Sequence, residues 1–214
     1  MLEENRIFSK VFMWMFVGLA ITFGVGYYVS LNVNMLYNIF TKFYWFLIIA
    51  EIGVVIFLSA RIHKLQPTTA KVLFCAYSFL TGLTFSSIFV VYKLTSIIYV
   101  FGITAVLFLI LSMIGYYTKM DLTKLGTYLF MALLGVIICS IINIFVGSET
   151  FNFGLTILAL IIFIVYIAYD IQKIKRNLYT LPEDNLAIYG ALQLYLDFIN
   201  IFIRLLRLFG NSRD

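Results

Sequence analysis

Long apolar segments alternate with short polar ones along the whole chain. Charged and turn-forming residues divide it into segments that are long enough for a helix to cross the roughly 30 Å hydrocarbon core of a bilayer. A helix is required there because an open sheet edge would leave backbone groups without hydrogen bonds in lipid. The pattern predicts seven transmembrane helices, over residues 11–31, 43–60, 71–92, 95–117, 125–147, 153–173 and 187–209.

The connections between these segments are short, and no stretch is polar enough to form a separate soluble domain. The second segment, 43–60, crosses the membrane only with little tilt or with an extension at its ends. We therefore expect an all-α membrane protein in which residues 1–214 form a single transmembrane bundle.

Composition supports this interpretation. The sequence is 63% hydrophobic and 12% charged, whereas soluble domains carry about 25% charged residues. The mean hydropathy is +1.03. Cys75 and Cys139 lie in the middle of apolar segments, so we expect them to be packing residues and not a disulfide or a metal site.

The net charge of +5 is dispersed among the connections, so we expect no nucleic-acid partner. Ten Lys and Arg residues fall on the side of the amino terminus and five on the opposite side. By the positive-inside rule, the amino terminus is cytoplasmic and the carboxyl terminus is outside the cell membrane.

The seventh segment carries one polar face in an otherwise apolar helix. Its members recur at spacings of four, three, four and three, which places them within roughly 40° of a common line. Lipid cannot solvate such a face, so it should turn toward the bundle interior or an aqueous cavity. These residues are Gln193, Asp197, Asn200, Arg204 and Arg207.

Asp197 lies about 15 Å along the helix from its predicted start, and its short side chain cannot reach the interface. On the sixth segment Asp170 precedes the basic cluster at residues 173–176. Because the sixth and seventh helices are antiparallel neighbours, the two carboxyl groups would lie at similar depth and could meet.

Two carboxylates at hydrogen-bonding distance away from water cannot both ionise cheaply, so they would share one proton and respond to pH. When ionised, Asp170 and Asp197 would offer hard oxygen ligands to a transient calcium ion. The alternative is that each aspartate is neutral or paired with Arg or Lys and only holds helices together.

Other charged residues could belong to the same pathway. Glu51 is an acid in the middle of the second segment, and Arg61 lies near the end of that segment. A pathway role and a simple interhelical hydrogen bond are equally compatible with Glu51. His63 is expected to be a solvated loop histidine.

The carboxyl-terminal run LYLDFINIFIRLLR, residues 194–207, together with Tyr169, Asp170 and Gln172, resembles the transmembrane Bax inhibitor motif family. This family is also called Lifeguard, and the resemblance is strongest to its bacterial YetJ-like members. Agreement in length and span number extends over the whole chain, while the specific motifs lie in about the last fifty residues.

The resemblance implies a seven-helix fold with the seventh helix central and a pH-sensitive calcium leak gated by the Asp170 and Asp197 dyad. It implies Arg61 as the residue that closes the pore, although the local run at 60–64 departs from the family's arginine cluster. It also matches Glu51 to the family's second-helix acid. We expect a monomer without enzymatic activity and without a tightly bound cofactor, whose partners are the lipid bilayer, calcium as the transported ion, and protons.

Three other functions compete with the leak. In a proton-coupled transporter, protonation of the dyad would drive alternating access. An intramembrane aspartyl protease would use the dyad as an acid and base pair, but Leu194, Tyr195 and Leu196 replace the glycines that such enzymes place before the second aspartate. A non-conducting interaction protein would leave ion flux independent of both aspartates.

Overall fold

The computed structural model describes residues 2–213, with side chains from Glu3 onward. Within that range seven helices are long and apolar enough to cross a membrane, which confirms the predicted all-α class. The helices are α1 Leu2–Ser30, α2 Val33–Arg61, α3 Pro67–Val91, α4 Leu94–Tyr117, α5 Leu125–Val146, α6 Glu149–Arg176 and α7 Glu183–Phe209.

Several helices extend beyond the predicted segments. Helix α1 begins at Leu2 and not at residue 11, and α7 begins at Glu183 and not at residue 187. The predicted spans stopped at charged residues and therefore did not include these extensions. A helix can continue through such residues, since its backbone is satisfied internally and long charged side chains reach water or ion-pair partners at its ends.

Helix α2 is extended in a less regular way. An α-helical turn over Val33–Asn38 leads into a π-helical stretch, Ile39–Phe43, and then into the long α-helical part Tyr44–Arg61. Lys42, which directly precedes the predicted segment 43–60, lies inside this wider turn. The extension removes the length deficit of the predicted segment 43–60.

The chain is divided into two compact units. Unit 1 comprises residues 2–94, 177–195 and 211–213, and unit 2 comprises Thr95–Arg176 and Leu196–Gly210. Helix α7 therefore contributes its first part to unit 1 and its second part to unit 2. It is also the most buried of the described spans, with 72% of its most apolar window inside the protein, as expected for a central helix.

In unit 1, α1 and α3 approach closely at Gly82. A Cβ atom at this position would lie 2.8 Å from Val25 Cβ and 3.0 Å from the carbonyl oxygen of Thr22. The buried hydroxyl of Thr22 uses the same contact to donate to the backbone oxygen of Ser78 at 2.9 Å. The small residue thus lets the two helices approach closely enough for the Thr22 side chain to bond to the backbone of α3, as is typical of membrane helices.

The two ends of α3 are tied to different parts of unit 1. At its start, Lys71 forms an ion pair of 2.7 Å with Asp184, in the first turn of α7. At its end, the backbone oxygen of Val91 accepts a hydrogen bond from the backbone N–H of Arg213 at 2.8 Å. Asp184 and Arg213 therefore lie at opposite ends of α3, as expected when α7 crosses between them once.

The core of unit 2 contains an apolar cluster between α5 and α6, formed by Leu129, Val136, Ala159 and Ile162. On α7, Phe198 packs against Phe101 and Phe108 of α4, with ring centroids 5.2 Å and 5.8 Å apart. Phe198 follows Asp197 directly on α7, so these ring contacts hold the turn of α7 that carries Asp197 against α4.

Candidate functional site

Asp170 on α6 and Asp197 on α7 lie in the same unit and are almost completely removed from solvent. Their exposed fractions are 2% and 3%. The two carboxyl groups are within hydrogen-bonding reach of each other and interact electrostatically. The structure therefore brings together the two aspartates that the sequence singled out.

The oxygens of this pair lack donors. Asp170 Oδ1 and Asp197 Oδ2 are buried, and neither receives a hydrogen bond from the described residues. A buried carboxylate oxygen without a donor is costly. A proton on one carboxyl group would supply the missing donor, because that group could then donate to its neighbour.

The charged and titratable neighbours of the dyad come from α6. Lys173 lies one turn beyond Asp170 and interacts electrostatically with both carboxyl groups. Tyr166 lies one turn before Asp170 and also interacts with both. Lys173 is half-buried and places its Nζ atom 5.7 Å from the centre of the Tyr169 ring.

Helix geometry explains why these residues meet. Tyr166, Asp170 and Lys173 recur at spacings of four and three, so they share one face of α6. That helix continues to Arg176, followed by a 3-10 turn over Asn177–Tyr179. Asp170 is consequently more than one turn inside the helix and not in the connection.

Apart from the buried Asp197, the residues of the polar face of α7 are less buried than most of that helix. Asn200 and Arg204 in unit 2 and Gln193 in unit 1 are half-buried, and Arg207 is exposed, whereas most other positions from Leu186 to Leu206 are buried. Asn200 donates to the backbone oxygen of Leu196 at 2.8 Å. The Nε atom of Arg204 is buried and has no acceptor among the described residues.

Glu51 lies in unit 1, where it accepts a hydrogen bond of 3.0 Å from Thr84 on α3. The pair opens on a cavity of about 420 Å³ between α2 and α3. The cavity is lined by Phe40, Tyr44, Ile48, Glu51, Thr84 and Ser87. The interhelical hydrogen bond, one of the two roles considered for Glu51, is present, and a pathway role stays a prediction.

Arg61 is the last residue of α2 and belongs to unit 1. Its side chain is exposed. The side chain of His63, in the following connection, is exposed as well, as expected for a loop histidine. The pairing of Arg61 with the dyad stays a prediction, while Lys173 is the cation placed beside the dyad within unit 2.

The sequence interpretation missed one functional contact of α6. Gln172 clamps the connection between α4 and α5, donating to the backbone oxygen of Met120 at 2.7 Å and accepting from the N–H of Leu122 at 3.0 Å. The sequence did offer a signal for this contact, because Gln172 is a polar residue of the motif that resembles the family. It was given no role in the proposed pathway.

A second missed contact is buried in unit 1. Because Thr22 donates its only hydroxyl hydrogen to Ser78, Tyr195 must donate to Thr22, at an oxygen to oxygen distance of 2.6 Å. Tyr195 is completely buried. It lies two residues before Asp197 on α7, so this hydrogen bond anchors the helix that carries one half of the dyad.

The family described as Inhibitor of apoptosis-promoting Bax1 matches residues 4–214. The inner membrane protein YbhL of Escherichia coli strain K12 is 44% identical over 213 residues, covering 96% of this chain and 91% of the relative.

Two further relatives extend the similarity to other bacteria. A protein of Borreliella burgdorferi is 42% identical over 220 residues, covering 100% of this chain and 95% of the relative. The Rickettsia prowazekii protein RP147 is 35% identical over 216 residues, covering 98% of this chain and 91% of the relative. The similarity therefore covers the whole length and is not limited to the carboxyl-terminal motif.

Proposed function

The chain belongs to the Bax inhibitor motif, or Lifeguard, family, and from that membership we propose that it forms a passive, pH-sensitive path for calcium across the cell membrane. Asp170 and Asp197 are the proton-sensing gate and the transient ligands of the permeating ion. The observation that carries the proposal is the buried carboxyl pair, in which one oxygen of each group receives no hydrogen bond from the described residues.

The chemistry of the pair suits a gate. With one proton between them, the carboxyl groups satisfy each other and hold α6 and α7 together. Loss of that proton leaves two negative charges in a poorly solvated place, where their repulsion and their need for ligands are both strong. A calcium ion then provides the charge and the coordination that the pair lacks.

The dyad does not form a closed metal site. In residues 2–213 no group of three or more His, Cys, Asp or Glu side chains is arranged to hold a metal ion. Two carboxylates offer fewer oxygens than the six to eight that calcium takes in a tight site. Weak ligation of this kind fits an ion that must leave again after it has entered.

The test is calcium flux into liposomes that contain the purified protein, measured at a series of pH values across neutrality. We expect a pH-dependent flux in the wild type and loss of the pH dependence in both Asp170→Asn and Asp197→Asn. Glu149→Gln is a matched control, since it removes an exposed carboxyl group from the first turn of α6 and leaves the dyad unchanged. Flux with an unchanged pH profile in both asparagine variants would refute the proposal.

A proton-coupled transporter would use the same two residues, and an imposed proton gradient separates it from a leak. A leak lets calcium run only down its own gradient. A coupled transporter accumulates calcium against its gradient when protons flow the other way. Uphill accumulation that disappears in Asp197→Asn would replace the leak with the transporter.

For orientation, we propose a cytoplasmic amino terminus and an external carboxyl terminus, because ten of the fifteen Lys and Arg residues lie on the amino-terminal side. Single cysteines introduced at Ser9 and at Ser212, in a chain with Cys75 and Cys139 replaced by serine, test this arrangement. A membrane-impermeant thiol reagent applied to intact cells should label only the cysteine at position 212.

A further inference from the structure

One face of α6 is fixed to the end of the α4 and α5 pair over three successive turns. Ala168, Gln172 and Arg176 recur every four residues and therefore lie along the same side of the helix. Ala168 contacts Gly115 of α4 so closely that a Cβ atom at Gly115 would lie 2.7 Å from Ala168 Cα. The other two residues bind the strap, which we define as residues 118–124 between α4 and α5.

The strap is held by two kinds of bond. Gln172 brackets its backbone, with Nε2 donating to Met120 O at 2.7 Å and Oε1 accepting from Leu122 N at 3.0 Å. Arg176 donates to the side chains of Asp121 and Thr123. Because the strap is not helical, the amide of Gln172 supplies partners that its backbone would otherwise lack.

This anchored face lies opposite the dyad. Gln172 follows Asp170 by two residues, which corresponds to a rotation of about 200° around the helix axis. The strap thus holds α6 from behind while Asp170 faces α7. A rotation of α6 by a few tens of degrees would carry the Asp170 carboxyl away from Asp197, and the bracket at Gln172 resists that rotation.

We propose that Gln172 is a positioning residue of the dyad, whose amide fixes the rotation of α6 and keeps the Asp170 carboxyl group against Asp197. The inference rests on the proposed function for its physiological meaning, but the geometry it concerns can be measured without ion flux. The groups that face the dyad are Lys173 and Tyr166 on α6, and both turn with that helix.

The chain contains a matched control for this bracket. At the other end of α5, Asn143 donates to the backbone oxygen of Ser148 at 3.1 Å and accepts from the Ser148 N–H at 3.2 Å. The chemistry is the same as at Gln172 and the unit is the same. Asn143 holds the α5 to α6 turn, however, and has no contact with the strap.

The experiment compares Gln172→Leu with Asn143→Leu. In each variant, the infrared carbonyl band of protonated carboxyl groups is followed as the pH is raised. The part of the band that comes from the dyad is identified by its loss in Asp170→Asn and Asp197→Asn. Two coupled carboxyls lose their protons in two separated steps. In Gln172→Leu we expect the separation between these steps to shrink by about one pH unit, because the carboxyl groups interact less. In Asn143→Leu we expect the wild-type titration.

An unchanged titration in Gln172→Leu would overturn the inference, and so would an equal narrowing in both leucine variants, since that reflects general loosening. If Gln172→Leu does not fold, Gln172→Glu is the second variant. It keeps the acceptor for Leu122 and loses the donation to Met120. The separation between the two titration steps should then shrink by less than the amount expected for Gln172→Leu. If the dyad gives its expected carbonyl band in the wild type but calcium flux does not depend on Asp170 or Asp197, the proposed function is refuted. The spectra of Gln172→Leu and Asn143→Leu then still test this inference.

Discussion

Asp170 and Asp197 reach each other from two helices of one compact unit, and each keeps a buried oxygen that receives no hydrogen bond from the described residues. These two buried oxygens are stable only if a species other than an N–H or O–H group of the described residues binds them. A shared proton and a passing cation can both do so, and exchange between them is the physical basis of the proposed gate.

The positive charge of Lys173 should influence how long the dyad keeps its proton. Lys173 interacts electrostatically with both carboxyl groups, so its removal takes away a charge that favours their ionised forms. In Lys173→Met we expect the infrared band of the protonated dyad to persist to higher pH than in the wild type. Lys175→Met is the control, because Lys175 is exposed and lies over the Tyr116 ring at 4.6 Å. An equal effect of both substitutions would contradict a local role for Lys173.

The contact between α4 and α6 depends on the absence of a side chain at Gly115. Adding a Cβ atom 2.7 Å from Ala168 Cα must push the helices apart, which we expect to lower the free energy of unfolding by about 1–3 kcal/mol. Gly102, on the same helix, has no atom within 4 Å of the corresponding position. Gly102→Ala should therefore leave stability unchanged or raise it slightly, as thermal unfolding in detergent would show. Equal stabilities of the two alanine variants would argue against a tight contact.

The hydrogen bond between Tyr195 and Thr22 should contribute measurably to unit 1. Tyr195→Phe removes the donor to Thr22, and we expect a loss of about 1 kcal/mol in the free energy of unfolding. A double-mutant cycle with Thr22→Val should give a coupling energy of about 1 kcal/mol, since each substitution removes the same bond. Simple additivity of the two losses would mean that the bond is not formed.

The ion pair that holds the strap should not contribute to the pH response near neutrality. The hydroxyl and backbone N–H of Thr123, together with the Arg176 guanidinium, hold the pKa of Asp121 well below its usual range. A carboxyl group with a depressed pKa stabilises the fold at all pH values above its unfolded pKa, about 3.9, and loses that contribution only as the pH falls further. The difference in stability between wild type and Asp121→Asn should therefore be constant from neutral pH down to about pH 4 and shrink below it. A difference that changes near neutrality would make Asp121 part of the sensor.

The sequence was sufficient for the number of helices and for the residues of the dyad. Apolar length defines a span because lipid imposes internal hydrogen bonding on the backbone, and an aspartate far from a helix end has few roles other than a functional one. The ends of the helices were less predictable. Charges such as Lys42 interrupt hydropathy without interrupting the helix, and the π-helical turn over Ile39–Phe43 has no apparent composition signal.

Contacts that depend on three-dimensional packing could not be predicted from the pattern. Gln172 bonds to residues fifty positions away, and no periodicity along α6 identifies its partners. Likewise, the spacing from Asp170 to Lys173 places them on one face, but only the position of α7 brings Lys173 near both aspartates. Arg61, by contrast, was selected by resemblance, and its role awaits the flux measurements.

The central claim is that the dyad holds one proton between its two carboxyl groups at neutral pH, and infrared spectroscopy of the purified protein in lipid tests it most directly. The account predicts a carbonyl band of a protonated carboxyl group in the wild type that titrates in two separated steps. Asp170→Asn and Asp197→Asn should each leave a single step. If neither substitution changes the band, or if the wild type shows no protonated carboxyl group at neutral pH, the dyad does not share a proton and the proposed gate is wrong.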